Sequence, residues 1–301
     1  MDRFEAMSML LEVVRHGSFS AAARTMRVSL PTLSRRISEL EHLLGAQLLA
    51  RTTRKVTLTD AGASYVAAAH SILEQLKEAE RGAAGEFVEP IGELVVTAPT
   101  MFGRLHVLPV ITDFLERYSE IQVRLVLVNT NLSLVEEGID VAIRIGELPD
   151  SAMSAKHVGS IRTVLCGSPR LFEAKGEPRT LDDIAGFPAV AINMPLSIAQ
   201  WRFRKSDSPE IRLLHLSSRL TVTTPEAAAS AAAHGAGLAQ LLHYQVADAV
   251  KADALRIVLE DLEPTPSPVH LLYASRAPLP LKLRRFLDFA APRLRNSLQA
   301  L

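Results

Sequence analysis

Gly17 and Gly45 each end a stretch of helically spaced apolar residues, and that punctuation leaves few folds open to the first 60 residues. Phe4, Met7, Leu10 or Leu11, and Val14 share one face of a first helix that Gly17 stops. Ser18 caps a second, Phe19 to Met26, whose Ala21-Ala22-Ala23 run permits close packing. After a turn at Arg27-Val28, Ser29 caps a third helix with Pro31 in its first turn. Two short helices joined by so tight a turn make a helix-turn-helix.

The third helix divides by face. Leu33, Ile37, Leu40 and Leu44 form an apolar stripe, while Pro31, Arg35, Ser38 and His42 lie opposite it and Ser34 on the flank. Such a helix buries one side and presents a guanidinium and hydroxyls on the other, groups that meet base edges or phosphates. Leu48-Leu49 and Val56-Thr57-Leu58 flank a basic, Thr-rich tip, as in a hairpin wing that carries Arg54 and Lys55 toward a nucleic-acid backbone. Charge follows the same division. Residues 1–60 hold nine Lys/Arg against six Asp/Glu, residues 61–90 two against five, and the remainder balances, so the formal net charge of zero hides a basic head and an acidic connector.

Several segments fall in family order: Gly17-Ser18-Phe19-Ser20-Ala21-Ala22-Ala23, Ser29-Leu30-Pro31-Thr32-Leu33-Ser34-Arg35, Leu40-Glu41, Leu44-Gly45, Arg51-Thr52-Thr53-Arg54 and Leu58-Thr59-Asp60-Ala61-Gly62. Together they closely resemble the amino-terminal domain of LysR-type transcriptional regulators. The resemblance implies DNA contacts from Ser18, Leu30, Pro31, Thr32, Ser34, Arg35, Arg36, Ser38, Arg51, Thr53, Arg54 and Lys55. Leu30 departs from the Gln usual there, which bears on one base contact, and Leu49-Ala50 from a Phe before the wing, a core adjustment.

Thr59 or Asp60 caps a connector helix over about Ala61 to Ala84. Its seam of Tyr65 or Val66, Ala69, Ile72 or Leu73, Leu76, Ala79 and Ala83 needs a partner. The resemblance implies that this partner is the same helix of a second subunit, in a homodimer and then a homotetramer. Gly82, Gly85 and Glu86 to Pro90 mark a hinge.

From Gly92 strands alternate with helices, which predicts an α/β body with a mostly parallel sheet. Strands are expected at Leu94–Ala98, Gln122–Val128, Asp140–Ile145, Ile161–Cys166, Ala189–Ile192, Leu220–Thr223, Leu238–Leu241 and Val269–Tyr273. Helices are expected at Arg104–Tyr118, Glu226–Ala233 and Leu281–Leu294, with a short turn at Ser133–Gly138. Asp140 to Gly146, Cys166 to Pro169, Trp201 to Phe203, Gly235 to Leu238 and Leu283 to Phe289 resemble, more loosely, the effector-binding domain of the same family, which is similar to periplasmic binding proteins.

The expected organisation is a winged helix-turn-helix over 1–60, linker and hinge over 61–90, and a two-lobed effector domain over 91–301. Its first lobe spans 91–163 plus 268–301 and its second 164–267. A ligand between the lobes would meet Thr97, Pro99, Thr100, Met101, Phe102, Asn129, Thr130, Arg144, Gly146, Trp201, Thr223, Thr224 and Gly235, with Asn131 and Asn193 to Pro195 nearby. Arg144 is the candidate to pair a carboxylate, which gives the expected effector an anionic character. The Gly235-Ala236-Gly237 turn would let backbone approach a ligand.

An enzyme is not expected. The nine His lack ligand spacing, Ser168 lacks a two-glycine frame, and the single Cys166 reads as a buried strand residue. No metal site and no cofactor are implied. With no run of about 18 apolar residues, no basic leader and no disulfide framework, a cytoplasmic protein without membrane partners is expected. The expected function is a transcriptional regulator that reads a partly palindromic double-stranded operator and answers a small-molecule effector. The alternative is a small-molecule-binding protein, or an enzyme, that uses its helix-turn-helix for protein contacts.

Overall fold

The computed structural model describes residues 2–51, 56–83, 89–130, 132–134, 137–148, 153–192, 200–205, 208–215, 218–274 and 279–301. Helices α1 (Arg3–His16), α2 (Phe19–Thr25) and α3 (Leu30–Leu44) form the head. Asp2 caps α1 through the Phe4 N–H at 2.9 Å, and Ser29 caps α3 through the Thr32 N–H at 3.2 Å. Gly17 and Gly45 end α1 and α3 at φ values of 61° and 65°, the left-handed geometry a helix stop uses. Strands β1 (Leu49–Arg51) and β2 (Val56–Leu58) pair antiparallel as the wing. Met9, Leu10, Val13, Leu33, Ile37, Leu40, Leu48 and Leu49 close the core. Two expected core positions are corrected. Phe4, in the first turn of α1, is 45% exposed and Leu44, in the last turn of α3, is 41% exposed.

Helix α4 (Asp60–Ala83) is the connector, and Thr59 caps it by accepting the Gly62 N–H at 2.9 Å. The body then builds β3 (Gly92–Ala98), α5 (Thr100–Phe102), a π-helical turn (Gly103–Val107), α6 (Leu108–Arg117), β4 (Ile121–Leu127), β5 (Val141–Ile145) and β6 (Met153–Ile161). After Arg162 it crosses into β7 (Thr163–Gly167), α7 (Pro169–Lys175), β8 (Ala189–Ile192), β9 (Gln200–Lys205), β10 (Ser208–His215), β11 (Ser218–Val222), α8 (Pro225–Ala233), β12 (Ala239–Leu242), α9 (His243–Lys251) and β13 (Arg256–Val258). Strand β14 (Ser267–Ala274) and helix α10 (Leu281–Gln299) return to the first lobe.

The first lobe holds one sheet in the order β4-β3-β5-β14-β6. Its β4-β3-β5 half is parallel and its β14 pairings are antiparallel, so the expected mostly parallel sheet is mixed. The reason is the return strand, which enters from the second lobe and runs against its neighbours. The expected single strand Ile161–Cys166 is two strands divided at Arg162, where the chain passes between lobes. Phe102, Phe114, Ile143, Leu271 and Phe286 fill the first lobe. The second has a three-stranded sheet, β12-β7-β13, with two smaller sheets.

Candidate DNA interface and effector cleft

In α3 the burial of Leu33, Ile37 and Leu40 turns the opposite face to solvent. There the Arg35 side chain is 67% exposed, its Nε 3.7 Å from Glu39 Oε1. Pro31 and Ser38 are exposed, and Leu30 is 44% exposed at the first helical position. Ser34, Thr32 and Ser18 are half-buried; the Thr32 hydroxyl meets Ser29 Oγ at 2.7 Å, and Ser18 caps α2. Arg36 differs from Arg35 in its partners. Its guanidinium lies 3.4 Å from Glu39 and 3.7 Å from Glu5 of α1, so it ties two helices of the head together. Arg51 is the last residue of β1; Thr53, Arg54 and Lys55 lie outside the described residues.

Two supports of this interface were not foreseen. Glu41 Oε1 accepts the Leu48 and Leu49 N–H groups at 2.8 and 3.1 Å, fastening the recognition helix to the wing. Gly62 lies so close to the residue before β1 that a Cβ there would sit 1.9 Å from the Leu48 carbonyl oxygen. The motif residues Leu40-Glu41 and Ala61-Gly62 were the available signal, but a motif does not say which backbone a side chain reaches.

The cleft candidates separate into three sets. Thr97, Phe102 and Trp201 are corrected. Thr97 is fully buried and donates to the Val126 carbonyl at 2.8 Å, Phe102 is fully buried in the first-lobe core, and Trp201 packs beside Phe203 in the second. Phe102 and Trp201 face the core of their lobes, while Thr97 lies on the opposite phase of β3 from Val96 and Ala98 and is covered there, which sequence order alone did not fix. A second set serves the local backbone. Asn129 Oδ1 accepts the Thr100 N–H at 3.0 Å, so these two cleft candidates already bond each other. Thr224 caps α8 through the Ala227 N–H, and Gly146 donates to Pro268 O at 2.8 Å. The glycine turn is corrected too: a Cβ at Gly237 would lie 2.3 Å from Pro188 O, so this glycine admits neighbouring backbone, while Gly235 takes φ 82°.

The third set is accessible. Thr100, Thr130 and Thr223 are exposed, and Pro99 and Met101 half-buried. Arg144, one residue before the end of β5, is not in that accessible set: it is 9% exposed, and burial holds its guanidinium below its ordinary pKa. Asn131 and 193–195 lie outside the described residues.

The lobes also meet through groups the sequence did not reveal. Tyr244 of α9 packs edge-on against Phe102, with ring centroids 5.4 Å apart, and against His106 at 5.5 Å. Arg162 reaches Glu260 at 2.5 Å and Glu263 at 2.7 Å beside the return crossing, and both carboxylates raise its pKa. A cavity of about 380 Å³ lies between α4 and the first lobe, lined by Val66, His70, Val95, Leu134 and Lys282, with none of the cleft candidates in its wall. Among the described residues no His, Cys, Asp and Glu group could hold a metal, and no helix is long and apolar enough to cross a membrane.

A winged helix-turn-helix on a long helix, joined to a two-lobed α/β body, defines a class: a regulator with its DNA reader and its sensor on one chain. Two family profiles match, the bacterial regulatory helix-turn-helix protein of the lysR family over residues 4–63 and the LysR substrate binding domain over 88–295. The chain belongs to the LysR family of transcriptional regulators. It is 32% identical to the HTH-type transcriptional regulator CrgA of Neisseria meningitidis serogroup C, over 98% of each chain. It is 33% identical to an HTH-type transcriptional regulator of Xanthomonas campestris pv. campestris, over 94% of this chain and 83% of that one. The structure of CrgA from Neisseria meningitidis aligns with a TM-score of 0.61 at 30% identity, covering 96% of this chain and 98% of that one. Full-length LysG from Corynebacterium glutamicum with bound effector Arg aligns at 0.68 over 98% and 99%, and at 20% identity shares the fold. The chain is a DNA-binding, effector-responsive transcriptional regulator.

Proposed function

We propose that residues 1–60 read DNA, 61–90 connect and pair subunits, and 91–301 sense the effector, with lobes of 91–163 plus 268–301 and 164–267. Leu30, Pro31, Ser34, Arg35 and Ser38 enter the major groove from α3, and the wing, with Arg51, Thr53, Arg54 and Lys55, follows the backbone. Ser18 and Thr32 position the helix ends beside phosphates. The observation that carries this is the contrast within one helix: a guanidinium 67% exposed at Arg35 opposite side chains of zero exposure at Leu33, Ile37 and Leu40. Two such heads in a homodimer, and four in a homotetramer, would give the operator partial dyad symmetry.

The effector is a small anionic molecule held between the lobes, against Pro99, Thr100, Met101, Thr130, Arg144, Thr223 and Gly235. It acts through a difference in affinity between two arrangements of the body. The protein works in the cytoplasm and regulates without catalysing a reaction. In support, burial pushes the Cys166 thiol up to about 12, far from a usable nucleophile.

In vitro selection from random duplex DNA with the full-length protein tests the reading. Enrichment of one motif with two related half-sites is expected. Recovery of no motif would overturn it.

A further inference from the structure

Three basic side chains form one row across the first-lobe sheet. Arg144 of β5 is paired with His270 of β14, and His270 with His157 of β6. Directly opposed residues in antiparallel strands share a face, with Cβ atoms about 4.5–5.5 Å apart. The alternate residues Ile143, Val269 and Leu271 belong to the core, so the row occupies the other face. The two imidazoles lie 5.3 Å apart, centroid to centroid. An irregularity builds the row: pairing steps from Val269 opposite Gly159 to His270 opposite His157, passing over Val158. A regular ladder would set Val158 beside His270, and re-aiming a side chain in this way is a recurrent use of a bulge.

Two atoms of the row are buried without a hydrogen-bond partner among the described residues, Arg144 Nη2 and His270 Nδ1. Arg144 Nη1 spends its bond on the adjacent Ile143 carbonyl at 3.2 Å. A guanidinium 9% exposed with one edge unmatched is costly by itself and becomes favourable when an anion meets it. The row also stands where the chain passes between lobes. Gly146 bonds to Pro268, Ser267 pairs with Ile161, and Arg162 follows.

We propose that Arg144 Nη2 and the His270 Nδ1–H together bind the carboxylate group of the effector, one oxygen each. This rests on the effector-responsive reading above and specifies its ligand chemistry. Two donors suit the two oxygens of a carboxylate, whereas a phosphate would leave oxygens unmatched. The Glu147 carboxylate, within electrostatic reach of His270, further disfavours a dianion.

Thermal denaturation of the full-length protein tests this, with benzoate, acetate and succinate as carboxylate probes, benzamide and acetamide as neutral counterparts, and inorganic phosphate as the other anion. At least one carboxylate is expected to raise the Tm, and its amide and phosphate are not. Arg144→Met is expected to keep or raise the Tm without ligand, since it removes an unmatched buried charge, and to lose the carboxylate shift. Arg144→Lys and His270→Phe are each expected to weaken the carboxylate about tenfold. A lower ligand-free Tm, or a failure to fold, in Arg144→Met would make the arginine structural and overturn the proposal. So would the absence of any carboxylate shift, an equal shift by phosphate, or undiminished binding to Arg144→Lys and His270→Phe. A carboxylate that stabilises Arg144→Met as much as the wild type would remove this subsite while leaving the effector-responsive reading intact.

Discussion

Arg35 and Arg36 show how much one residue of phase decides. Both are arginines on one helix, and composition does not separate them. Their angular difference of about 100° sends Arg35 to solvent and Arg36 toward Glu5 of α1. Arg36→Ala is therefore expected to lower the stability of the head by at most about 1 kcal/mol, the range of exposed ion pairs, and to leave operator sequence preference unchanged. Urea denaturation and a repeated selection measure the two; an altered motif would put Arg36 in the groove. Cys166 is the second residue-scale case. A thiol pushed up to about 12 stays protonated at pH 8, since deprotonation begins only as pH approaches that value. Iodoacetamide labelling at pH 8 is expected to track global unfolding, and rapid labelling of the native protein would contradict the burial of this strand.

At the scale of elements, the head was legible because its stops are chemical. Glycines at positive φ and Ser, Thr and Asp caps fix helix ends within a residue or two of where the pattern placed them. The body was less so. The helix expected from Arg104 begins at Thr100 and passes through a π-helical turn at Gly103–Val107, whose i→i+5 bonding breaks the 3.6-residue period on which the reading relied. Strands β9 and β10 carry charged residues at Arg202, Arg204 and Arg212 and so lack an apolar run. Thr97 and Arg144 share one face of the sheet, since Thr97 pairs with Ala142 two residues before Arg144, but Thr97 is fully buried and bonded to the neighbouring strand while Arg144 lies nearer the strand end; alternation gives the face and not what covers it. Gly62 offers the sharpest element-level test. Gly62→Ala forces α4 away from the Leu48 carbonyl and is expected to cost about 1–3 kcal/mol, as overpacking does. Chemical denaturation of the whole chain measures it, and an unchanged midpoint would mean that this contact is not made.

At the scale of the whole molecule, the α4 seam divides. Tyr65 and Val66 pack on the head and Ala69 is fully buried, whereas Ile72 is 41% exposed further along. The amino-terminal part of the helix thus packs on its own head, and the rest is the part we propose to pair with a second copy. Ile72→Glu is expected to shift the protein toward monomer in sedimentation experiments without loss of helical content. Unchanged sedimentation would move the pairing surface elsewhere. Recurrent spacing revealed that α4 needs partners; it did not say that the head is one of them, because periodicity records a face and not what covers it.

The central claim is that α3 presents Arg35 to base edges. Fluorescence anisotropy of wild type and Arg35→Ala on the selected operator and on a scrambled duplex tests it most directly. The expected result is a loss of about 1–3 kcal/mol on the operator, roughly a five- to 150-fold weaker affinity, with scrambled DNA bound nearly as before. Equal affinity of both proteins for the operator would contradict it.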